Sequence, residues 1–215
     1  MTEIWLIRHG ESESNAGLPT SDTAKIVLTQ RGLAQAEYLA AAFTRAPSLI
    51  VTSPYLRAQQ SAQPTIGRFP EARLEEWPVH EYTYLSHASR HNTTLAGRRP
   101  QIDAYWERCD PGYLDGDGAE SFAALVARAK HALERIKHLD DDFVAIFSHG
   151  LFIRTLLWVL LAEPVEIDAV MMRRYRGFIS GFSVPNASIL KLHVNGEREM
   201  FFSRFMLAHV PAFLM

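Results

Sequence analysis

Three short apolar segments, each followed at once by polar residues, limit most strongly the fold that this chain can adopt. They are EIWLI at 3–7, SLIVT at 48–52 and FVAIF at 143–147. Each is rich in β-branched or aromatic residues and has the length of a strand, so each predicts a buried strand. The segment 73–77 is a weaker candidate for a further strand.

Segments with helical periodicity lie between these strands. Thr29 is expected to cap a helix over roughly 30–45, with Leu33 on its apolar stripe. The next helix should kink or end at Pro64, because proline lacks the backbone N–H that a helix interior needs. Further helices are predicted at about 119–138 and from Gly150 to about 162.

The alternation of strands and helices predicts an α/β three-layer sandwich with a mostly parallel sheet and helices on both faces. The segments 188–194 and 198–204 flank Asn195-Gly196, which predicts an antiparallel hairpin at the C-terminal side. We expect one domain over 1–215. The polar, turn-rich segment 82–118 is predicted to be a lid insertion, because long irregular segments in compact domains are usually functional or disordered.

Charge and cysteine content exclude several classes of protein. The formal net charge is −2, which gives no reason to expect nucleic acid as a partner. Cys109 is the only cysteine, so no internal disulfide can form and a reducing compartment is expected. The first ten residues lack the pattern of a signal peptide, and the apolar run 151–162 is too short to span a membrane. The sequence therefore predicts a cytoplasmic protein.

Charged and histidine side chains follow the predicted strands, where each strand ends. Ligands of open α/β sheets bind at the carboxyl ends of the strands, so these side chains are expected to meet at one edge. Two guanidiniums and an imidazolium there would suit a phosphate dianion. The glycines beside the histidines, Gly10 and Gly150, are expected to let the backbone approach that ligand. The side chains concerned are Arg8 and His9, Arg57, Glu81, and His149.

Simpler explanations exist for each of these residues taken alone. Arg8 could form a buried ion pair with Glu11, and each histidine could be a core residue. A metal pair is disfavoured, because Arg8 beside His9 repels a divalent cation and zinc sites need three or four ligands. No metal site is therefore expected.

Four motifs in order resemble the signature of the histidine phosphatase superfamily, also called phosphoglycerate mutase-like. With two weaker landmarks, at 118–121 and 185–188, the matches run from the first strand to the last hairpin. The four motifs are Leu6–Ser12 with Asn15, Leu28-Thr29 with Gly32 and Ala36, Ser53–Ala62, and Ser148-His149-Gly150.

The resemblance implies a role for each candidate residue and no cofactor. His9 would attack phosphorus and form a phosphohistidine, for which its second ring nitrogen needs a hydrogen-bond acceptor. Glu81 would protonate the leaving alcohol and then deprotonate water; Glu11 is a rival donor, although it is expected close to the arginines. The phosphate oxygens would be held by Arg8, Arg57 and His149, with Asn15 adding an amide donor.

The resemblance leaves phosphatases, mutases and non-catalytic phospholigand-binding proteins to be distinguished. The mutases commonly have asparagine where this chain has Leu151, and they differ at 23–27 and 82–85. They also need extra anion contacts, and the familiar ones are missing here. His9 and Glu81 argue against a non-catalytic protein. We therefore expect a metal-independent phosphomonoesterase that acts on a small phosphorylated metabolite.

Several features leave the substrate and the assembly open. The clusters Arg98-Arg99 and Arg173-Arg174-Arg176 could bind a second anionic group or lie in solvent. The apolar C-terminal segment 205–215 could pack on the core or on a second subunit, so a homodimer stays open. Four aromatic residues could stack on a ring of the substrate or pack under the lid: Tyr82, Tyr84, Tyr105 and Trp106.

Overall fold

A computed structural model describes all residues, 1–215, and contains one six-stranded sheet with the order β3-β2-β4-β1-β5-β6. The first four strands along the chain pair in parallel, and β5 and β6 are antiparallel to their neighbours. The strands are β1 (Thr2–Arg8), β2 (Leu49–Thr52), β3 (Arg73–Glu76), β4 (Phe143–Ser148), β5 (Ile189–Val194) and β6 (Met200–Met206).

Seven α-helices connect the strands or precede the C-terminal hairpin. Thr29, Ser121 and Asp168 cap three of them with their side chains. The helices are α1 (Gln30–Ala42), α2 (Leu56–Arg68), α3 (His87–Arg90), α4 (Arg99–Arg108), α5 (Phe122–Lys137), α6 (Gly150–Ala162) and α7 (Ala169–Gly181).

The central strands are buried on both faces, which confirms the predicted three-layer sandwich. In β1, Ile4 and Leu6 belong to an apolar cluster shared with α5 and α6, whereas Trp5 and Ile7 belong to a second cluster shared with α1 and α2. Successive side chains of a strand point to opposite faces. The two clusters are therefore the two interfaces between the sheet and its helical layers.

Some predicted details of the helices are wrong. Leu33 is 39% exposed, so the buried stripe of α1 runs through Ala36, Leu39 and Ala40 instead. Of the two effects expected of Pro64, an end of the helix is wrong, because α2 continues to Arg68. Ala62 and Thr65, on either side of Pro64, are fully buried, and this packing offsets the one backbone hydrogen bond that proline cannot make.

The segment 82–118 is less irregular than its sequence suggests, because α3 and α4 lie within it. It is tied to the loop after β1: Thr20 and Thr93 exchange backbone hydrogen bonds of 3.0 and 3.3 Å, and the Asn92 N–H donates to Ser21 Oγ. The segment is therefore attached at its middle as well as at its ends.

The C-terminal segment packs on its own sheet. Val210 is buried, and Leu207 and Leu214 pack against the cluster that contains Trp5 and Ile7. Of the two alternatives for this segment, the structure supports packing on the core. None of the helices combines the length and the apolar character needed to cross a membrane.

Candidate active site

A cavity of about 280 Å³ lies at the carboxyl ends of the strands, where the sequence places the site. Its walls come from the loop after β1, the start of α2, the segment 81–102 and the start of α6. The register of the sheet explains why these segments meet at one place. Arg8 of β1 lies opposite Ser148 of β4, and Thr52 of β2 lies opposite Phe147, so the residues that follow each strand become neighbours.

His9 is the buried centre of this arrangement. Its Nδ1 lies 2.6 Å from the backbone carbonyl oxygen of Gly10, to which an Nδ1–H donates. Nε2 then carries the lone pair, and it accepts a hydrogen bond of 3.2 Å from Arg57 Nε. The Gly10 carbonyl oxygen is thus the hydrogen-bond acceptor that was predicted for the ring nitrogen that does not attack, Nδ1.

Burial is the main cause that holds the pKa of His9 well below its usual range. The positive charges of Arg57 and Arg8 lower it further, and the hydrogen bond to the Gly10 carbonyl opposes them. His9 is therefore neutral at neutral pH, the state that a nucleophilic imidazole needs.

Arg57 and Arg8 flank the imidazole as two cations without an ion pair. Burial lowers the pKa of Arg57 to about 10, so its guanidinium remains charged near pH 7. Arg57 Nη1 donates to the Thr23 carbonyl oxygen at 2.6 Å, and Arg8 Nη1 donates to the Val184 carbonyl oxygen. Arg8 Nε is buried without a partner. Both guanidiniums thus keep donors available for an anion.

His149 lies behind His9 and does not line the cavity. The two ring centroids are 5.0 Å apart, and His149 Nε2 lies 2.7 Å from Ser53 Oγ. Burial first, then Arg57, holds the pKa of His149 well below its usual range. The expected imidazolium is therefore wrong for the unliganded protein, in which His149 is neutral. Its Nδ1 is buried without a partner.

Glu81 lines the cavity and caps α6. Its Oε1 accepts hydrogen bonds of 3.1 Å from the backbone N–H groups of Leu151, Phe152 and Tyr82. The N-terminus of a helix offers such donors and a favourable dipole for a negative side chain. The carboxylate of Glu81 is thus fixed at the start of the helix that follows His149.

Asn15 lines the cavity with a defined orientation. Its side-chain oxygen accepts hydrogen bonds from Ser12 N, Ser12 Oγ and Asn186 Nδ2 at 3.2, 2.9 and 3.0 Å. The amide NH₂ group remains free to donate. Asn186 also donates to the carbonyl oxygens of His9 and Gly10, so it is a positioning residue that the sequence marked only as part of a weak landmark.

Glu11 and Gly10 do not have the places expected of them. Glu11 does not line the cavity; it accepts from Thr29 Oγ1 at 2.8 Å and lies 3.5 Å from Arg31 Nη1. The alternative of an Arg8–Glu11 ion pair is therefore wrong. A Cβ at Gly10 would lie 2.5 Å from the Gly32 carbonyl oxygen, so Gly10 serves close packing on α1.

Other expected contacts divide between the cavity and the surface. Arg98 lines the cavity, whereas the exposed Arg99 pairs with Asp103 and the arginines of α7 do not reach it. Arg90 and Arg154 also line it, and the sequence pattern indicated neither, since each stands alone in its segment.

The aromatic residues expected near the substrate divide in the same way. Tyr82 and Tyr84 contribute to the wall of the cavity, whereas Tyr105 and Trp106 are buried in the core. No group of three metal-ligating side chains converges anywhere in the chain.

Fold and site together define an α/β protein with a neutral histidine between two arginines at the carboxyl ends of its parallel strands. The sequence model of the family described as histidine phosphatase superfamily (branch 1) matches residues 4–201. The chain belongs to this superfamily. Family membership confirms the predicted class of activity, which is hydrolysis of phosphate monoesters by the histidine phosphatase mechanism.

Individual relatives are more distant. An adenosylcobalamin/alpha-ribazole phosphatase of Salmonella typhi is 29% identical over 165 residues, which cover 75% of this chain and 80% of that protein. The structure of the alpha-ribazole phosphatase from Shigella flexneri matches with a TM-score of 0.72 and 20% identity, covering 94% and 95% of the two chains. Phosphoserine phosphatase from Entamoeba histolytica matches with a TM-score of 0.70 and 23% identity, covering 98% and 100%. These structural likenesses concern the fold.

Proposed function

We propose that His9 is the nucleophile of a metal-independent phosphomonoesterase that acts on small phosphorylated metabolites. The observation that carries the proposal is the hydrogen bond from His9 Nδ1 to the Gly10 carbonyl, because it leaves the lone pair on Nε2, beside Arg57. Arg8 and Arg57 bind backbone carbonyl oxygens and no carboxylate, so their guanidiniums have donors left for the phosphate oxygens.

In the first step, Nε2 of His9 attacks phosphorus while the bond from phosphorus to the ester oxygen breaks. Arg57 gives up its hydrogen bond to Nε2 and donates to the phosphate oxygens with Arg8 and the Asn15 amide. The negative charge of the bound ester favours uptake of a proton by His149. The step requires Glu81 in its carboxylic acid form. Glu81 then transfers its proton to the departing alkoxide, which leaves as the alcohol.

In the second step, the Glu81 carboxylate takes a proton from a water molecule, whose oxygen attacks the phosphohistidine. The bond from phosphorus to Nε2 breaks, the lone pair returns to Nε2, and inorganic phosphate leaves. Division of one displacement into two lowers each barrier, and the arginines supply the charge that phosphoryl transfer requires.

The test is a comparison of His9→Ala with the wild type on an aryl phosphate. We expect the variant to lose turnover and to form no phosphoenzyme, whereas the wild type forms an acid-labile one. The matched control is His91→Ala, an exposed histidine outside the cavity. Turnover by His9→Ala at the wild-type rate would contradict the proposal. A mutase would instead transfer the phosphoryl group to a second position of the substrate without net release.

The proposal also covers the substrate, the role of the segment 82–118 and the cellular compartment. The names of the curated relatives make alpha-ribazole phosphate one member of the substrate screen. The segment 82–118 is proposed as a lid, since eight residues between Tyr82 and Ile102 line the cavity. A cytoplasmic location without nucleic-acid or membrane partners fits the near-neutral charge and the single cysteine.

A further inference from the structure

The end of the cavity formed by the segment 82–102 contains two buried cations that the mechanism above does not use. They are Arg90, at the end of α3, and Arg98, at the cap of α4. Their relative exposures are 6% and 8%, low values for arginine. Both line the same cavity as His9.

Neither guanidinium has the partner that a buried charge requires. Arg90 donates to the carbonyl oxygens of Ser86 at 3.1 Å and Gly118 at 3.4 Å, but its Nη1 is buried without a partner. Arg98 makes no side-chain hydrogen bond and no ion pair, and burial lowers its pKa. A buried charge without a counter-charge is costly.

The two cations also repel each other. Burial first, and the charge of Arg98 in addition, lower the pKa of Arg90. Asp22 and Asp115 act in the opposite direction on Arg90, but neither lies within ion-pair distance, and Asp115 is engaged by Ser86 and Ser89. An arrangement that holds two cations together without an anion indicates that a ligand supplies the anion.

The charge of the whole cavity supports the same reading. Five arginines line it against a single carboxylate, Glu81. A phosphate monoester brings about two negative charges, which leave the cavity with excess positive charge. We propose that Arg90 and Arg98 bind a second anionic group, carboxylate or phosphate, on the alcohol part of the substrate. This inference rests on the proposed function and names the substrate class: short phosphate esters with two anionic ends.

The test uses pairs of esters that differ only in the second group. The carboxylate pair is 3-phosphoglycerate and glycerol 3-phosphate, and the phosphate pair is ribose 1,5-bisphosphate and ribose 5-phosphate. Charge-assisted hydrogen bonds predict a preference of about 10- to 100-fold in kcat/KM for the doubly anionic member of at least one pair. The preferred pair identifies the second group.

Arg98→Gln is the informative variant, because Arg98 makes no side-chain hydrogen bond or ion pair whose loss would leave a protein group without its partner. We expect it to reduce the preference at least tenfold and Arg98→Lys to restore part of it. The matched control is Arg99→Gln, one residue further, where the side chain is exposed and paired with Asp103. Arg99→Gln should retain the preference.

Calorimetric binding to the His9→Ala variant separates this inference from the proposed function, because it needs no turnover. Tighter binding of the doubly anionic ester, lost with the added Arg98→Gln change, supports the second anion site even if no hydrolysis occurs. Equal binding within each pair, or a preference that Arg98→Gln leaves intact, overturns it. Hydrolysis with equal kcat/KM within both pairs would overturn it while the proposed function stands.

Discussion

At the scale of single residues, the chemistry of His9 depends on one backbone carbonyl and two arginines. The Gly10 carbonyl selects the tautomer, and burial with Arg57 and Arg8 keeps the ring neutral. The arginines that are proposed to hold the phosphate therefore also keep the proposed nucleophile unprotonated. Removal of either cation would alter both functions at once.

Glu81 allows a test of its own role. We expect Glu81→Gln to slow turnover of alkyl phosphates by roughly 10²–10⁴-fold, because the amide cannot give up a proton to the alkoxide. Aryl phosphates with good leaving groups should lose less in the first step. The measurement is kcat/KM across a series of esters with leaving groups of different basicity.

The control for this prediction is the rival acid. Glu11→Gln removes a carboxylate that is bound to Thr29 and lies outside the cavity, so the dependence on the leaving group should match that of the wild type. An equal loss for every leaving group in Glu81→Gln would argue against proton donation. A selective loss in Glu11→Gln would assign the acid to Glu11.

The sequence identified the candidate residues near His9 well and the other residues that line the cavity poorly. His9, Arg57 and Glu81 follow strands or stand in motifs, and parallel register alone brings such residues together. Arg90 and Asn186 reach the site through a loop and a turn whose paths no local pattern encodes. The neutral state of His149 could not be predicted, because it depends on full burial behind His9.

At the scale of secondary structure elements, the contact between the loop after β1 and the start of α1 determines where His9 lies. A Cβ at Gly32 would stand 2.0 Å from the Glu11 carbonyl oxygen, so the two backbones touch. The motif residues Gly10 and Gly32 are therefore a packing pair.

We expect Gly32→Ala to lower the free energy of unfolding by about 1–3 kcal/mol or more, because the backbone of the loop must move. The control is Gly177→Ala in the middle of α7, where an added Cβ meets nothing within 4 Å. That change should raise the free energy of unfolding by roughly 0.5–1 kcal/mol. Urea unfolding measures both, and similar effects of the two changes would contradict the packing role.

Strands and helices could be predicted where the apolar periodicity of the sequence is clear, and were missed where charged residues interrupt that periodicity. The buried strands β1, β2 and β4 and the helix α5 match their sequence patterns closely. Helix α7 buries only Met172 and Tyr175 beside three arginines, so its apolar stripe is too thin to recognise. Helix α4 has a proline in its first turn, which is a start signal, but its core contacts come from aromatic residues that also suited a ligand.

At the scale of the whole molecule, two buried neutral histidines make stability depend on pH. The pKa values of His9 and His149 are depressed in the folded protein, whereas the unfolded chain binds protons below about pH 6.5. The unfolded state then holds more protons, so the free energy of unfolding is highest above that pH and falls as pH is lowered.

Between pH 7.5 and 5.5, each of these two histidines should lower the free energy of unfolding by an amount on the order of 1 kcal/mol. Urea unfolding followed by tryptophan fluorescence at the two pH values measures the fall. His80, whose pKa burial and Arg128 lower to about 4, contributes in the same direction. His80→Gln should therefore show a smaller fall, and a free energy that stays constant over this range would contradict the buried neutral states.

The carbonyl of Leu214 connects the tail of the molecule to its reactive loop. It accepts hydrogen bonds of 3.1 Å from Arg31 Nε and 2.5 Å from Gln35 Nε2, while Gln35 Oε1 accepts from Glu11 N at 2.7 Å. A single side chain thus separates residue 214 from the loop that carries His9. A purification tag or a fluorescent fusion added after Met215 would lie next to the residues that support this loop, so the opposite terminus is the safer point of attachment.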